Sequence, residues 1–129
     1  MKSILVKTMA LITMLGIWAT ANADDYRMVS TCKLKEGKTM DDIRVANSKW
    51  VVFMNENVEG GGITSHITTS IVGDPTPGKF GYVDSFPSLE SWTATVAAIE
   101  SIAEGVAIDE ELNEAADCTE NRLYKAEES

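Results

Sequence analysis

Histidine occurs once in the 129 residues, cysteine twice and proline three times. The lone histidine is His66. The two cysteines, Cys32 and Cys118, are far apart and lack the C-x-x-C spacing of a zinc or redox pair, so no metal is expected. Three of the six methionines fall within the first 23 residues, which leaves no copper-binding cluster. No phosphate loop, dinucleotide fingerprint, nucleophile elbow or N-x-Ser/Thr acceptor is present, and no cofactor is expected. Positive charge is also scarce. From residue 24 onward, 9 basic residues face 20 acidic ones. So acidic a chain repels phosphate backbones and anionic lipid surfaces, which excludes nucleic acid as a partner. No apolar run reaches the ~20 residues of a membrane span.

The first 23 residues have the pattern of an export signal. Lys2 and Lys7 give a positive start, residues 9–18 are apolar, and Ala21-Asn22-Ala23 is a small-x-small cleavage site. No cysteine stands at that site, so a lipoprotein is not indicated. The expectation is a bacterial, periplasmic or secreted protein with no membrane attachment after cleavage. Residues 24–129 then form a single domain. With 44% hydrophobic residues the chain has enough apolar material for a core. An oxidising compartment favours a Cys32–Cys118 disulfide. It would close a loop of about 86 residues, worth roughly 4–5 kcal/mol in the chain-entropy model.

Residues 26–35 alternate and are rich in β-formers, which predicts a first strand. Thr39 and Asp42 form a capping box for a helix. That helix buries Ile43, Ala46, Trp50, Phe53 and Met54 and stops at Gly60-Gly61-Gly62. Residues 63–72 predict a second strand, with Ile63, Ile67 and Ile71 on one face and Thr64, His66, Thr68 and Ser70 on the other. A turn cluster over 73–78 leads to a third strand, Lys79–Phe86, in which Phe80, Tyr82, Asp84 and Phe86 share a face. Ser88 caps a second helix with a stripe of Leu89, Trp92, Val96, Ile99 and Ala103, ended by Gly105. The acidic residues 109–116 predict one or two further helical turns. Residues 118–125 predict a fourth strand.

The order β-α-β-β-α-β is the ferredoxin-like arrangement, an α+β fold with a four-stranded antiparallel sheet and both helices on one face. Strands one and four are then neighbours, and the end of one meets the start of the other, where Cys32 and Cys118 lie. Regular pairing from that bridge sets Ser30 against Glu120, Met28 against Arg122 and Tyr26 against Tyr124. A sheet with helices on one side only leaves a second face to be polar or covered by a partner.

The element order and the stretch Asp84-Ser85-Phe86-Pro87-Ser88-Leu89-Glu90-Ser91-Trp92 resemble the dimeric α/β-barrel superfamily, whose relatives include antibiotic-biosynthesis monooxygenases and stress-responsive barrels. Its members often leave strand three through a Phe-x-Ser-x-Glu-like segment into a helix bearing an aromatic residue. The resemblance implies a homodimer in which two sheets pair face to face with helices outside. It also implies kinship with cofactor-free monooxygenases and haem-degrading enzymes.

Three functions follow. The first is binding of a small, partly apolar ligand in the barrel lumen, with Thr64, Thr68, Tyr82, Asp84 and Arg122 as ligand-binding candidates. The second is catalysis by a cofactor-independent monooxygenase or haem-handling oxygenase, with His66 as base or ligand, because an imidazole titrates near neutrality. The third is a structural or protein-interaction domain without a pocket.

Overall fold

The computed structural model describes residues 25–129; the segment read as an export signal lies outside them. Strand β1 (Asp25–Leu34) leads through a short turn to helix α1 (Met40–Asn57), then to β2 (Thr64–Thr68) and β3 (Lys79–Phe86). Helices α2 (Leu89–Ser101) and α3 (Ala103–Ala115) follow, and β4 (Ala116–Ala126) completes the sheet. The four strands are antiparallel in the order β2-β3-β1-β4, and the sheet is open. This is the ferredoxin-like arrangement with one helix more than the minimum. Among the described residues no helix is long and apolar enough to cross a membrane.

The start of α1 follows from local chemistry. The Thr39 hydroxyl accepts from the Asp42 amide at 3.4 Å, and the Asp42 carboxylate accepts from the Thr39 amide at 2.8 Å. Each satisfies a donor that the first helical turn leaves unpaired. The helix buries Ile43, Ala46, Asn47, Trp50, Phe53 and Met54 against the sheet. At its far end Asn55 grips the entry to β2. Its side-chain oxygen accepts from the Ile63 amide at 3.0 Å, and its nitrogen donates to the Ile63 carbonyl at 2.8 Å.

Five expectations change. Strand two stops at Thr68 rather than residue 72, and Ile71 is exposed. Continued pairing would set Val72 against Pro77, which has no amide hydrogen to give. Gly105 does not end a helix but lies in the first turn of α3, while the break falls at Ile102. A side-chain carbon at Gly105 would meet the Phe53 ring and the Ala98 carbonyl at 2.8 Å, so glycine is there for close approach. The acidic segment is part of a full 13-residue helix, tied to α1 by Lys49 and Glu111 at 3.0 Å. In α2 the most buried residues are Ser91, Thr95 and Ala98. Trp92, Val96 and Ile99 are half-buried and Leu89 is exposed. Small side chains on the inner line let α3 pack closely, and the larger ones border the contact.

The fifth correction concerns β4. Cys32 and Cys118 are paired across β1 and β4 and joined by a disulfide, with Cα atoms 4.0 Å apart. Immediately beyond it the register shifts by one, because Thr31 pairs with Glu120 and leaves Thr119 as an extra residue. Ser30 therefore faces Asn121, Met28 faces Leu123 and Tyr26 faces Lys125. A shift of one residue moves each side chain to the opposite face. It places Glu120, Arg122 and Tyr124 on the side away from the helices.

Two predictions test this packing. Replacing both cysteines by serine lowers unfolding free energy by about 4 kcal/mol in the chain-entropy model, read from urea denaturation. An unchanged midpoint would show that β4 is held by its pairing alone. Gly105→Ala costs about 1–3 kcal/mol, because neither the Phe53 ring nor the Ala98 carbonyl can retreat freely. A variant as stable as the parent would refute the close helix approach.

Candidate functional site

Strand alternation and the register divide the sheet into two faces. On the helix-covered face lie Tyr26, Met28, Ser30 and Cys32 of β1 with Phe86, Asp84, Tyr82 and Phe80 of β3. Among the described residues no helix covers the other face. Its central row runs His66, Val83, Val29, Arg122 across the four strands. The row on one side is Thr64, Ser85, Arg27, Tyr124, and that on the other is Thr68, Gly81, Thr31, Glu120. At the usual spacing of about 4.8 Å between strands, the Cα atoms of His66 and Arg122 stand about 14 Å apart. Between them Val29 and Val83 form an apolar strip bordered by hydroxyls and charges.

His66, Thr64 and Thr68 are exposed on this face. Arg122 shares it, and the Tyr124 hydroxyl beside the guanidinium raises its already high pKa further. Gly81 is a notch in the floor: a side-chain carbon there would meet the Ser30 carbonyl and the Thr68 hydroxyl at 2.8 Å. Above the notch the β2–β3 loop leans over the sheet. Thr69, Ser70 and Asp74 of the loop and Val29, Thr31 and Gly81 of the sheet bound a cavity of about 290 Å³. A second cavity of about 430 Å³ continues past Thr31 and Lys79 toward Thr119, the extra residue of β4. Such a surface offers an apolar floor, several hydroxyls, an imidazole and a guanidinium. Among the described residues no three His, Cys, Asp or Glu side chains gather as metal ligands.

Tyr82 and Asp84 share a face as their spacing requires, but it is the one under the helices. The sheet separates them from His66, Thr64, Thr68 and Arg122. Asp84 accepts from the Ser65 hydroxyl at 2.5 Å, and Ser65 accepts from the Asn47 side-chain nitrogen at 3.0 Å. Burial pushes the Asp84 carboxyl up to about 6, only partly offset by the Ser65 hydrogen bond. Burial, then the neighbouring Asp84 charge, pushes Tyr82 up to about 12. The Tyr82 hydroxyl is buried with no hydrogen-bond partner among the described residues. Sequence reasoning passed over Asn47 and Ser65. The signal was present: each is the polar residue that interrupts an apolar line, Asn47 between Ile43 and Trp50 and Ser65 between Ile63 and Ile67.

The raised Asp84 pKa fixes a sign. An aspartate that ionises near 3.8 when unfolded and near 6 when folded binds its proton more tightly in the folded state. Stability is therefore full below about pH 4 and falls as pH rises through 6. Asp84→Asn keeps the acceptor for Ser65 and removes the charge. It gains about 1–3 kcal/mol at pH 7.5, allowing for partial access of water, and the gain vanishes below pH 4. Thermal denaturation of both proteins across pH 4–8 measures the gap. A constant gap would refute a buried, unpaired carboxylate.

No family model matches the sequence, and no curated protein does. Solved structures do share the fold. The cofactor-independent oxygenase SnoaB from Streptomyces nogalater superposes with a TM-score of 0.60 at 9% identity, over 83% of this chain and 97% of that one. A NIPSNAP family protein of unknown function from Agrobacterium tumefaciens gives 0.59 at 15% identity, over 83% and 91%. A dimeric ferredoxin-like protein of unknown function from Thermobifida fusca gives 0.53 at 7% identity, over 81% and 92%. Together with the four-stranded sheet and its one-sided helices, these neighbours show that the chain has a ferredoxin-like fold.

Proposed function

We propose that the protein is an exported binding module, and that two copies pair their open sheet faces around a small, partly apolar ligand. The observation that carries this reading is the uncovered central row, in which Val83 and Val29 lie between His66 and Arg122. An apolar strip flanked by polar groups suits a ligand with an apolar body and one or two polar ends. Thr64, Thr68 and Arg122 would bind those ends. Tyr82 and Asp84 lie across the sheet from them and would reach a ligand only from the helix side. Likeness in fold to a dimeric ferredoxin-like protein supports the pairing. The disulfide and the signal-like first 23 residues support export.

A second reading rests on the likeness in fold to a cofactor-independent oxygenase. Here the same face would carry catalysis, with His66 taking a proton from the substrate. His66 is exposed on the open face between Thr64 and Thr68.

Native mass spectrometry of protein purified without refolding tests the first reading. The expected spectrum is a dimer from residue 24 onward, lighter by two hydrogens for each disulfide and carrying an additional small mass. A bare monomer would overturn both the barrel and its lumen. His66→Ala separates the two readings: the bound mass persists if the module only binds, and turnover is abolished if His66 is the base.

A further inference from the structure

Residues 69–78 join β2 to β3, and at their tip Ile71 and Val72 are 89% and 90% exposed. Two adjacent branched aliphatic residues so bare gain nothing from the single chain. The loop that holds them is nevertheless built firmly. The Ser70 hydroxyl donates to the Val72 carbonyl at 2.8 Å. The Lys79 ammonium donates to Asp74 at 2.5 Å, the Thr76 hydroxyl bonds the same carboxylate, and the Lys79 amide donates to the Thr76 carbonyl at 3.1 Å. Lys79 and Thr76 hold the Asp74 carboxyl down to about 2, so these bonds persist at any ordinary pH. At the base of the loop the Leu34 amide donates to the Gly78 carbonyl at 2.8 Å.

Three observations say what the tip meets. The loop leans over the open face, since Thr69, Ser70 and Asp74 bound the cavity floored by Val29 and Gly81. The strand-like pattern of the sequence runs on through residue 72, yet Pro77 denies it a place in its own sheet. The open face itself carries an apolar strip, Val29 and Val83, with Val29 36% exposed. We propose that residues 69–72 are an arm whose Ile71 and Val72 seat on the open sheet face of a second copy of this chain. The inference deepens the dimer reading and rests on it. A lipid surface fits less well. Lys79, the only cation in residues 69–79, is committed to Asp74, and an acidic chain is repelled by anionic bilayers.

The test is a dilution series by sedimentation velocity on the full mature chain, comparing the parent with I71D/V72D and the milder I71S/V72S. The parent is expected to be a dimer. Both variants weaken association by about tenfold or more, because an apolar anchor at an interface has been replaced by polar groups. Far-UV circular dichroism and disulfide formation stay unchanged, since the tip is outside the core. If the aspartate variant misfolds, the serine variant decides. A parent that is monomeric throughout would overturn the dimer and the arm together. A dimeric parent whose variants associate equally well would overturn the arm alone. Flotation of the parent with phosphatidylcholine vesicles, lost in I71S/V72S, would overturn the second copy as the occupant in favour of a membrane.

Discussion

The central strand β1 is hydrogen-bonded along both edges, to β3 and to β4, and its alternation decides which side chains of three strands lie beneath the helices. Because the period is two, there is no intermediate arrangement: a residue is either in the core or on the bare face. Cys32 and Phe80 take the core side together, and Val29 and Val83 take the other. The disulfide fixes one end of the β1–β4 ladder, while the extra residue at Thr119 resets the parity of everything after it. Were the ladder regular, Arg122 would face the helix side. One additional residue therefore places a guanidinium on the same face as His66.

The two faces have different energetics. The helix side is closed by large apolar residues, including Phe53, Ile43 and Met54, which are essentially inaccessible to water. Trp50 meets Phe86 edge-on at 6.4 Å, and Phe80 meets Tyr82 edge-on at 5.2 Å. Into this side the chain admits a short polar line, Asn47 to Ser65 to Asp84, whose last member bears an unpaired charge at neutral pH. A carboxylate in such surroundings costs free energy, and hydrogen bonds only partly offset the cost. The bare face shows the opposite balance. Its polar groups are wet and inexpensive, and its strain lies in the apolar strip left in water.

How much of this was legible in the residues depends on whether the signal was local. The capping box, the α1 stripe, the bounds of β3 and the cysteine partnership are local or follow from element order, and they were readable. The end of β2 was not, because its own residues favour a strand through Val72 and the obstacle lies across the sheet at Pro77. The break between α2 and α3 was misplaced because glycine at 105 suggested a stop. Its role depends on Phe53, fifty-two residues earlier in the chain. The extra residue in β4 left no mark in composition or pattern. Without it the faces of Arg122 and Glu120 came out inverted. Which candidate site residues share a face was thus decided by a single irregularity that no periodicity announces.

The sheet order also sets the timing of assembly. The first strand to emerge from synthesis is flanked by the third and by the last, so β1 has one unpaired edge until residues 116–126 exist. Through all that interval Cys32 lacks its partner, because Cys118 stands 86 residues further along the chain. Helix α1 and the β1–β3 ladder can form without it, but the covalent tie between β1 and β4 cannot. Oxidation of this pair is therefore a chemical record that β4 has joined the sheet, and a fragment released before residue 118 would carry its first cysteine unspent.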